Sequence, residues 1–236
     1  MSDITVNLNS IKEFTQEHVD TYKRLVPKEA HPWLFGADVP DSFVLISEAT
    51  LTNFDDVNWV DSDIGIVLQF ARAGGQNPEL KEIAADIADF GFKLGKPSIA
   101  LLKLPNGKLI PLNGRSRRLI MTSNYKDLKN FIAIIYRIKD SEINADFTLS
   151  DKAKSDISIF SVSANTHYDP QGTTTSEDVK REVMYSITEG WINKDVKSIA
   201  DRVQKLCGKG VFRQATRDKL TQIIYNRHTK TDKVLP

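Results

Sequence analysis

Apolar residues recur along the chain at two spacings, and the alternation between them sets out most of its elements. Leu80, Ile83, Ala84, Ile87 and Ala88 fall at i, i+3, i+4, i+7 and i+8, which is one face of a helix. Asn77-Pro78-Glu79 stands just ahead of them, giving a capping amide, a proline suited to the first helical position and an acid near the positive helix end. Gly91 is placed to stop this helix. After Gly95-Lys96-Pro97, the run from Ser98 to Leu104 is too short and too closely bounded by breakers for a long helix, and it predicts a buried strand. Pro105-Asn106-Gly107 supplies turn chemistry, and Lys108 to Leu112 returns as the partner strand. Asn113-Gly114 ends that strand, Arg115-Ser116-Arg117-Arg118 opens a second helix, and Phe131 to Ile138, dense in β-branched and aromatic residues, predicts another strand.

The flanks carry weaker patterns. Ile11, Phe14, His18 and Tyr22 predict a short helix before Pro27, and Phe43-Val44-Leu45-Ile46 a strand; no motif assigns a role to residues 1–56. Residues 141–175 read as a loop-rich connection, broken most clearly at Asp169-Pro170-Gln171-Gly172. Ser176 is placed to cap a helix, Val196, Ile199, Ala200 and Val203 give a short one, and Ala215 to Tyr225 a longer one beyond Gly208-Lys209-Gly210. Three helices here fit a helix-turn-helix-like module and equally fit generic helical packing. The expected class is α+β with a mixed sheet, divided as 1–56, 57–140, 141–175 and 176–236.

Composition bounds the setting. The chain has 236 residues, 40% of them hydrophobic, which is enough for a core, and its 32 basic and 31 acidic side chains leave a net charge of +1. One cysteine, Cys207, closes no internal disulfide and builds no multi-thiolate zinc site, and no run approaches a membrane span, so the expectation is a soluble, cytoplasmic protein. The near-neutral total hides an asymmetry. From Lys194 to Pro236 there are eleven Lys or Arg against four Asp, a net +7 that leaves the rest of the chain at −6. Lys205, Lys209, Arg213 and Arg217 are candidates for phosphate contacts to DNA. The alternative is a solvated, lysine-rich helical face.

The stretch from Gly114 to Arg118 is the most informative. A glycine lets backbone approach a ligand, a helix amino end offers N–H groups and a positive dipole, and arginines fork onto phosphate oxygens. The same residues also read as a surface turn paired to nearby acids.

In order, the Leu80-x-x-Ile83-Ala84-x-x-Ile87 helix, the Pro97-Ser98-Ile99-Ala100-Leu101 strand, the Asn113-Gly114-Arg115-Ser116-Arg117 loop and Ile134-Ile135-Tyr136-Arg137 resemble the ParB/sulfiredoxin-like superfamily over about a quarter of the chain. The resemblance implies a phosphate-handling site built from Gly114, Arg115, Ser116 and Arg117, with Asn165 as a metal-side or phosphate-side group. It also implies Mg²⁺ and a nucleoside triphosphate, ATP or CTP, as expected cofactors. Sulfiredoxins carry a cysteine where this chain has Arg115, which excludes sulfinic-acid reduction. Partitioning members carry a Glu-Asn-x-x-Arg box, whereas Ala164-Asn165-Thr166-His167 keeps only the Asn.

The resulting expectation is a ParB-like DNA-acting protein, either a binder or a metal-dependent nuclease. In the nuclease, Arg115 and Arg117 would stabilise developing charge, with His167, Asp86 or Asp89 as the base. The alternatives are a nucleotide-dependent kinase on the same fold and a DNA-binding module without turnover. Expected partners are DNA and a nucleotide, with no membrane and with a homodimer left open. Pro40-Asp41 with Glu79-Leu80-Lys81 spells a short nuclease-like pattern, but Glu79 and Lys81 fall in the first turn of a helix rather than on strands. His18, His31, His167 and His228 are too scattered for zinc spacing. Trp33, Trp59, Trp191, Phe35 and Phe70 could stack on bases or pack in a core.

Overall fold

A computed structural model of the chain describes residues 4–27, 39–59, 79–94, 99–163, 175–207 and 212–231. Its strands are β1 (Thr5–Val6), β2 (Phe43–Asn53), β3 (Phe92–Lys93), β4 (Ile99–Lys103), β5 (Leu109–Asn113) and β6 (Asn130–Ile138). Its helices are α1 (Gln16–Leu25), α2 (Glu79–Phe90), α3 (Arg115–Asn124), α4 (Asp151–Ser163), α5 (Ser176–Thr188), α6 (Val196–Cys207) and α7 (Gln214–Thr231). The class is α+β, as the pattern predicts.

Four strands form one mixed sheet in the order β2-β6-β4-β5. β4 and β5 are the expected antiparallel hairpin, α3 carries the chain back, and β6 lies parallel to β4 with Ile99 opposite Ala133. Both central strands are near-continuous apolar runs, and each is buried on both faces, which is why they read as runs and not as alternations. β2 pairs antiparallel with β6 from Phe43–Ile138 to Asn53–Asn130, with two register irregularities along its length. The expected boundary at residue 56 therefore does not coincide with the sheet, because its edge strand lies before that point.

The amino-terminal segment is fastened to the sheet by Asn130. Its side chain accepts from the Phe14 N–H at 2.7 Å and donates to the Phe14 carbonyl at 3.1 Å, so a buried amide is satisfied from both sides. β1 pairs with β3 in a small antiparallel sheet.

The expected loop-rich region at 141–175 holds α4 instead. Ser150 opens it: its hydroxyl accepts from the Ala153 N–H at 3.0 Å, and its carbonyl from Lys154. Ala153, Ile157 and Phe160 belong to the sheet core, where Phe160 packs at 5.5 Å from Phe43. Val162, two residues on from Phe160, belongs to a second core formed with α5, α6 and α7. α4 is thus a wall common to both.

The second core gathers Val179, Val183 and Ile187 of α5, Ile199, Val203, Leu206 and Cys207 of α6, and Leu220 and Ile224 of α7. The three expected helices are present, and α5, α6 and α7 all pack on one another. Thr175, one residue before the expected Ser176, caps α5. The Asp178 carboxylate accepts from the Thr175 N–H at 2.8 Å, and the Thr175 hydroxyl accepts from the Asp178 N–H at 3.2 Å.

Between these helices lies a buried ion pair. Glu182 and Arg202 are 0% and 4% exposed, and Arg202 Nε donates to both carboxylate oxygens at 3.1 Å. Ser158 and Ser186 also donate to Glu182, and Arg202 donates to Ser155 and Ser186. Arg202 therefore does not belong to the basic surface that the charge count suggests.

Candidate anion-binding loop and basic helical face

Gly114 is fixed at the start of α3 by two constraints. Its φ of +95° lies in the left-handed region, and a Cβ there would meet Ile99 Cγ1 at 2.7 Å and Ile99 Cα at 3.0 Å. The glycine thus lets the amino end of α3 press against the first residue of β4. It has no side chain with which to cap the helix, and the Arg118 N–H closes the first backbone bond onto the Gly114 carbonyl at 3.0 Å.

The first turn that follows has the wrong charge for its position. Arg115, Arg117 and Arg118 occupy it and no acid does, although the amino end of a helix is its positive pole. A cation at a helix amino end is disfavoured by the helix dipole, by about 0.3–1 kcal/mol where it is exposed. A bound anion would reverse that sign, since it satisfies the leading N–H groups and neutralises the guanidinium groups together.

The arginines differ in setting. The side chains of Arg115 and Ser116 lie outside the described residues, and Arg117 is half-buried and engaged within the fold. Arg118 lies over the Trp59 ring, its guanidinium carbon 5.2 Å from the ring centroid. Its Nε is buried and makes no hydrogen bond. Trp59 is held in turn by a 2.9 Å bond from Nε1 to the Phe54 carbonyl and by Phe131 at 5.9 Å. The sequence pattern did not join Trp59 to this loop, because about sixty residues separate Trp59 and Arg118.

Other expected groups are dispersed. Asn165, His167 and Lys209, with His31, Trp33, Phe35 and Phe70, lie outside the described residues. Asp86 faces Lys93 at 3.4 Å, and Asp89 is exposed on α2. Glu79 and Lys81 open α2, so the Pro40-Asp41 pattern does not place its later members on a strand. His18 accepts from the Thr15 N–H at 2.9 Å, which explains it as a cap, and Trp191 packs edge-on against Tyr185. Among the described residues, no three His, Cys, Asp or Glu side chains are placed to share a metal ion.

The basic candidates also separate. Lys205 is exposed on α6, and Arg213 is exposed where its carbonyl opens α7. Arg217 is half-buried. Its Nη2 donates to Gln214 at 2.7 Å, its Nε is buried without a hydrogen bond, and its charge faces the Cys207 thiol. The outer face of α7 instead carries Lys219, Gln222, Ile223, Asn226 and Arg227. No helix among the described residues is long and apolar enough to cross a membrane.

A scan against protein-family models found no match, and a search of curated proteins found no significant relative.

Proposed function

We propose that this chain is a DNA-acting protein of the ParB/sulfiredoxin-like kind that holds a phosphate group at the amino end of α3. One observation carries the reading. Gly114, in a left-handed conformation against Ile99, opens a helix whose first turn holds three arginines, no acid and no side-chain cap. Cations that oppose the helix dipole become favourable there around an anion, and such local conflicts gather at functional sites.

The phosphate belongs to a nucleotide or to the DNA backbone. Backbone N–H groups and the helix dipole would orient it, Arg117 would pair with its oxygens, and Trp59 would hold Arg118 in place beside it. The loop suits the phosphate end of ATP or CTP. A donor set for Mg²⁺ is not assembled among the described residues, so no metal-assisted step is assigned. The segment from Lys194 to Pro236 keeps a net +6 once Arg202, paired inside the fold with Glu182, is set aside, and this excess supports DNA as the macromolecular partner.

Isothermal titration with ATP, CTP and a short duplex, with and without Mg²⁺, tests the reading. Arg117→Ala is expected to remove binding at the loop. Ser116→Asp is the sharper variant, because an acid in the first turn stabilises the helix while repelling a phosphate. It should hold or raise the melting temperature and abolish anion binding. Full binding in both variants refutes the site.

A further inference from the structure

Between the end of β6 and α4 the chain makes a tight hairpin, in which Ile143 is bridged to Leu149 in antiparallel sense. Leu149 is buried in the sheet core and Ile143 packs against it, so the base of the hairpin is anchored. The Phe147 N–H closes a turn onto the Asn144 carbonyl at 2.9 Å, and the Asn144 N–H donates to the Thr148 carbonyl at 2.8 Å. The Asp146 carboxylate accepts from the Thr148 N–H at 3.1 Å and from its hydroxyl at 2.6 Å. This bonding places residue 147 in the left-handed region, the usual position of a glycine or asparagine in such a loop. The residue there is a phenylalanine at φ +63°, alone among the described non-glycine residues in having a positive φ. It is also 77% exposed, more than any other large hydrophobic residue described. A bulky side chain in that conformation is strained, and little of its surface is buried in return.

We infer that Phe147 is the anchor of a head-to-tail contact between copies of this chain, seating on α7 of a second copy at Ile223. The inference does not rest on the α3 loop. Strain that surrounding bonds hold in place gathers at functional positions, and aromatic anchors dominate the energy of interfaces. Charge identifies the partner. From Asp140 to Asp151 the chain carries Asp140, Glu142, Asp146 and Asp151 and no Lys, Arg or His. Arg137 and Lys154 pair with Asp140 and Asp151 from outside this stretch, and Asp146 stands exposed beside Phe147. An acidic knob of this kind fits an apolar contact set among cations. The same chain supplies one. The segment from Lys194 to Pro236, net +6 without Arg202, exposes two large apolar side chains among the described residues, Val196 at 45% and Ile223 at 41%. Val196 stands beside exposed Asp195, which would repel the hairpin. The positions one turn before and after Ile223 are Lys219, Leu220, Asn226 and Arg227, and none is an acid. Leu220 and Ile224 are buried in the second core, so the seating of α7 turns Ile223 outward. Knob and seat are different surfaces, held by different cores, so the pairing is heterologous, and a chain bearing both can continue into a ring or a filament.

Sedimentation velocity of the full chain over a wide range of concentration tests this. The weight-average coefficient should rise with concentration, past that of a dimer, and fall in high salt. Phe147→Gly and Ile223→Glu should each stay monomeric where the wild type associates, with native circular dichroism. Phe147→Gly should also melt no lower than wild type, because glycine adopts the turn conformation without strain. An equimolar mixture of the two variants is the decisive arm. One copy keeps the knob and the other keeps the seat, so they should form a one-to-one dimer and nothing larger. Val196→Glu, at the other exposed apolar position, should associate like wild type. A wild-type chain that stays monomeric throughout, association that survives Phe147→Gly, or a mixture that stays monomeric overturns the inference. So does association lost in Val196→Glu and kept in Ile223→Glu, or a fall of several degrees in the melting temperature of Phe147→Gly, which would assign the ring to the fold.

Discussion

Replacing Arg202 with alanine should be among the most damaging single changes in the helical half. The guanidinium is 4% exposed and makes both carboxylate bonds to Glu182 while also donating to Ser155 and Ser186. Without it, a carboxylate with no solvent exposure retains only the hydroxyls of Ser158 and Ser186. Breaking a buried pair from one side typically costs about 3–5 kcal/mol, because the remaining charge has lost its solvent and its partner. For a chain of this size, that corresponds to a fall in melting temperature of roughly 6–20 °C. Removing both charges has a different expected outcome. Glu182→Leu/Arg202→Met eliminates the desolvated ions, and its stability should return to within about 2 kcal/mol of wild type or exceed it. Urea unfolding of the four members of the cycle, compared at constant m-value, measures both the single losses and the coupling. An Arg202→Ala shift below about 1 kcal/mol would refute the reasoning, as would a double variant no better than the worse single one.

Gly114→Ala should destabilise by roughly 2–5 kcal/mol, combining a left-handed backbone with a clash against Ile99, whereas Gly107→Ala, at φ +84° with nothing within 4 Å, should cost only about 1–2 kcal/mol. Equal urea midpoints for the two would contradict the close approach. The Tyr136 hydroxyl is buried without a hydrogen bond, and burial raises its pKa far above the usual range. Tyr136→Phe should therefore leave stability within about 1 kcal/mol or raise it, and a loss beyond about 1.5 kcal/mol would show that the hydroxyl has a partner. Burial pushes the Cys207 thiol up to about 11 from an ordinary 9.0. Above about pH 9 the unfolded chain then binds fewer protons than the native one, so the Cys207 contribution to stability should decline as pH rises towards about 11. Urea midpoints of wild type and Cys207→Ala compared across that window should converge, and a thiol reagent at pH 8 should react only after unfolding.

Local signals made the hairpin and its flanking helices legible. Gly91, the Pro105-Asn106-Gly107 turn and Gly114 each mark a real element end, and α2, β4, β5, α3 and β6 fall where spacing places them. The place of β2 was not legible, because pairing Phe43 with Ile138 joins segments some ninety residues apart and leaves no local mark. α4 was hidden for the opposite reason. Ala153, Ile157 and Phe160 face one core and Ile159 and Val162 another, with Ser155, Ser158, Ser161 and Ser163 set among them, so no single apolar stripe emerges. Its signal was the cap at Ser150, which the loop-like composition masked. At the candidate site, the glycine and arginines were legible from the loop itself. The bracing of Arg118 by Trp59 and the withdrawal of Arg202 and Arg217 from the surface depend on tertiary packing, which a charge count does not contain.

The position of α4 has a consequence for how the chain is made. All six strands among the described residues are synthesised before it, and the aromatic contact of Phe160 with Phe43 and Tyr136 has no counterpart until residue 160 leaves the ribosome. The sheet, complete only with β6, therefore waits without this cover from Ile138 to Ser163, a delay of about 1–5 s at elongation rates of about 5–20 residues per second. The same helix then brings Val162 and the serine partners of Arg202 to the next three helices as they emerge. Vectorial synthesis thus imposes an order in which the first half must close before the second has a surface to fold upon. A ribosome-stalled chain ending near residue 150 should engage chaperones, while one in which residue 163 has cleared the exit tunnel should release them.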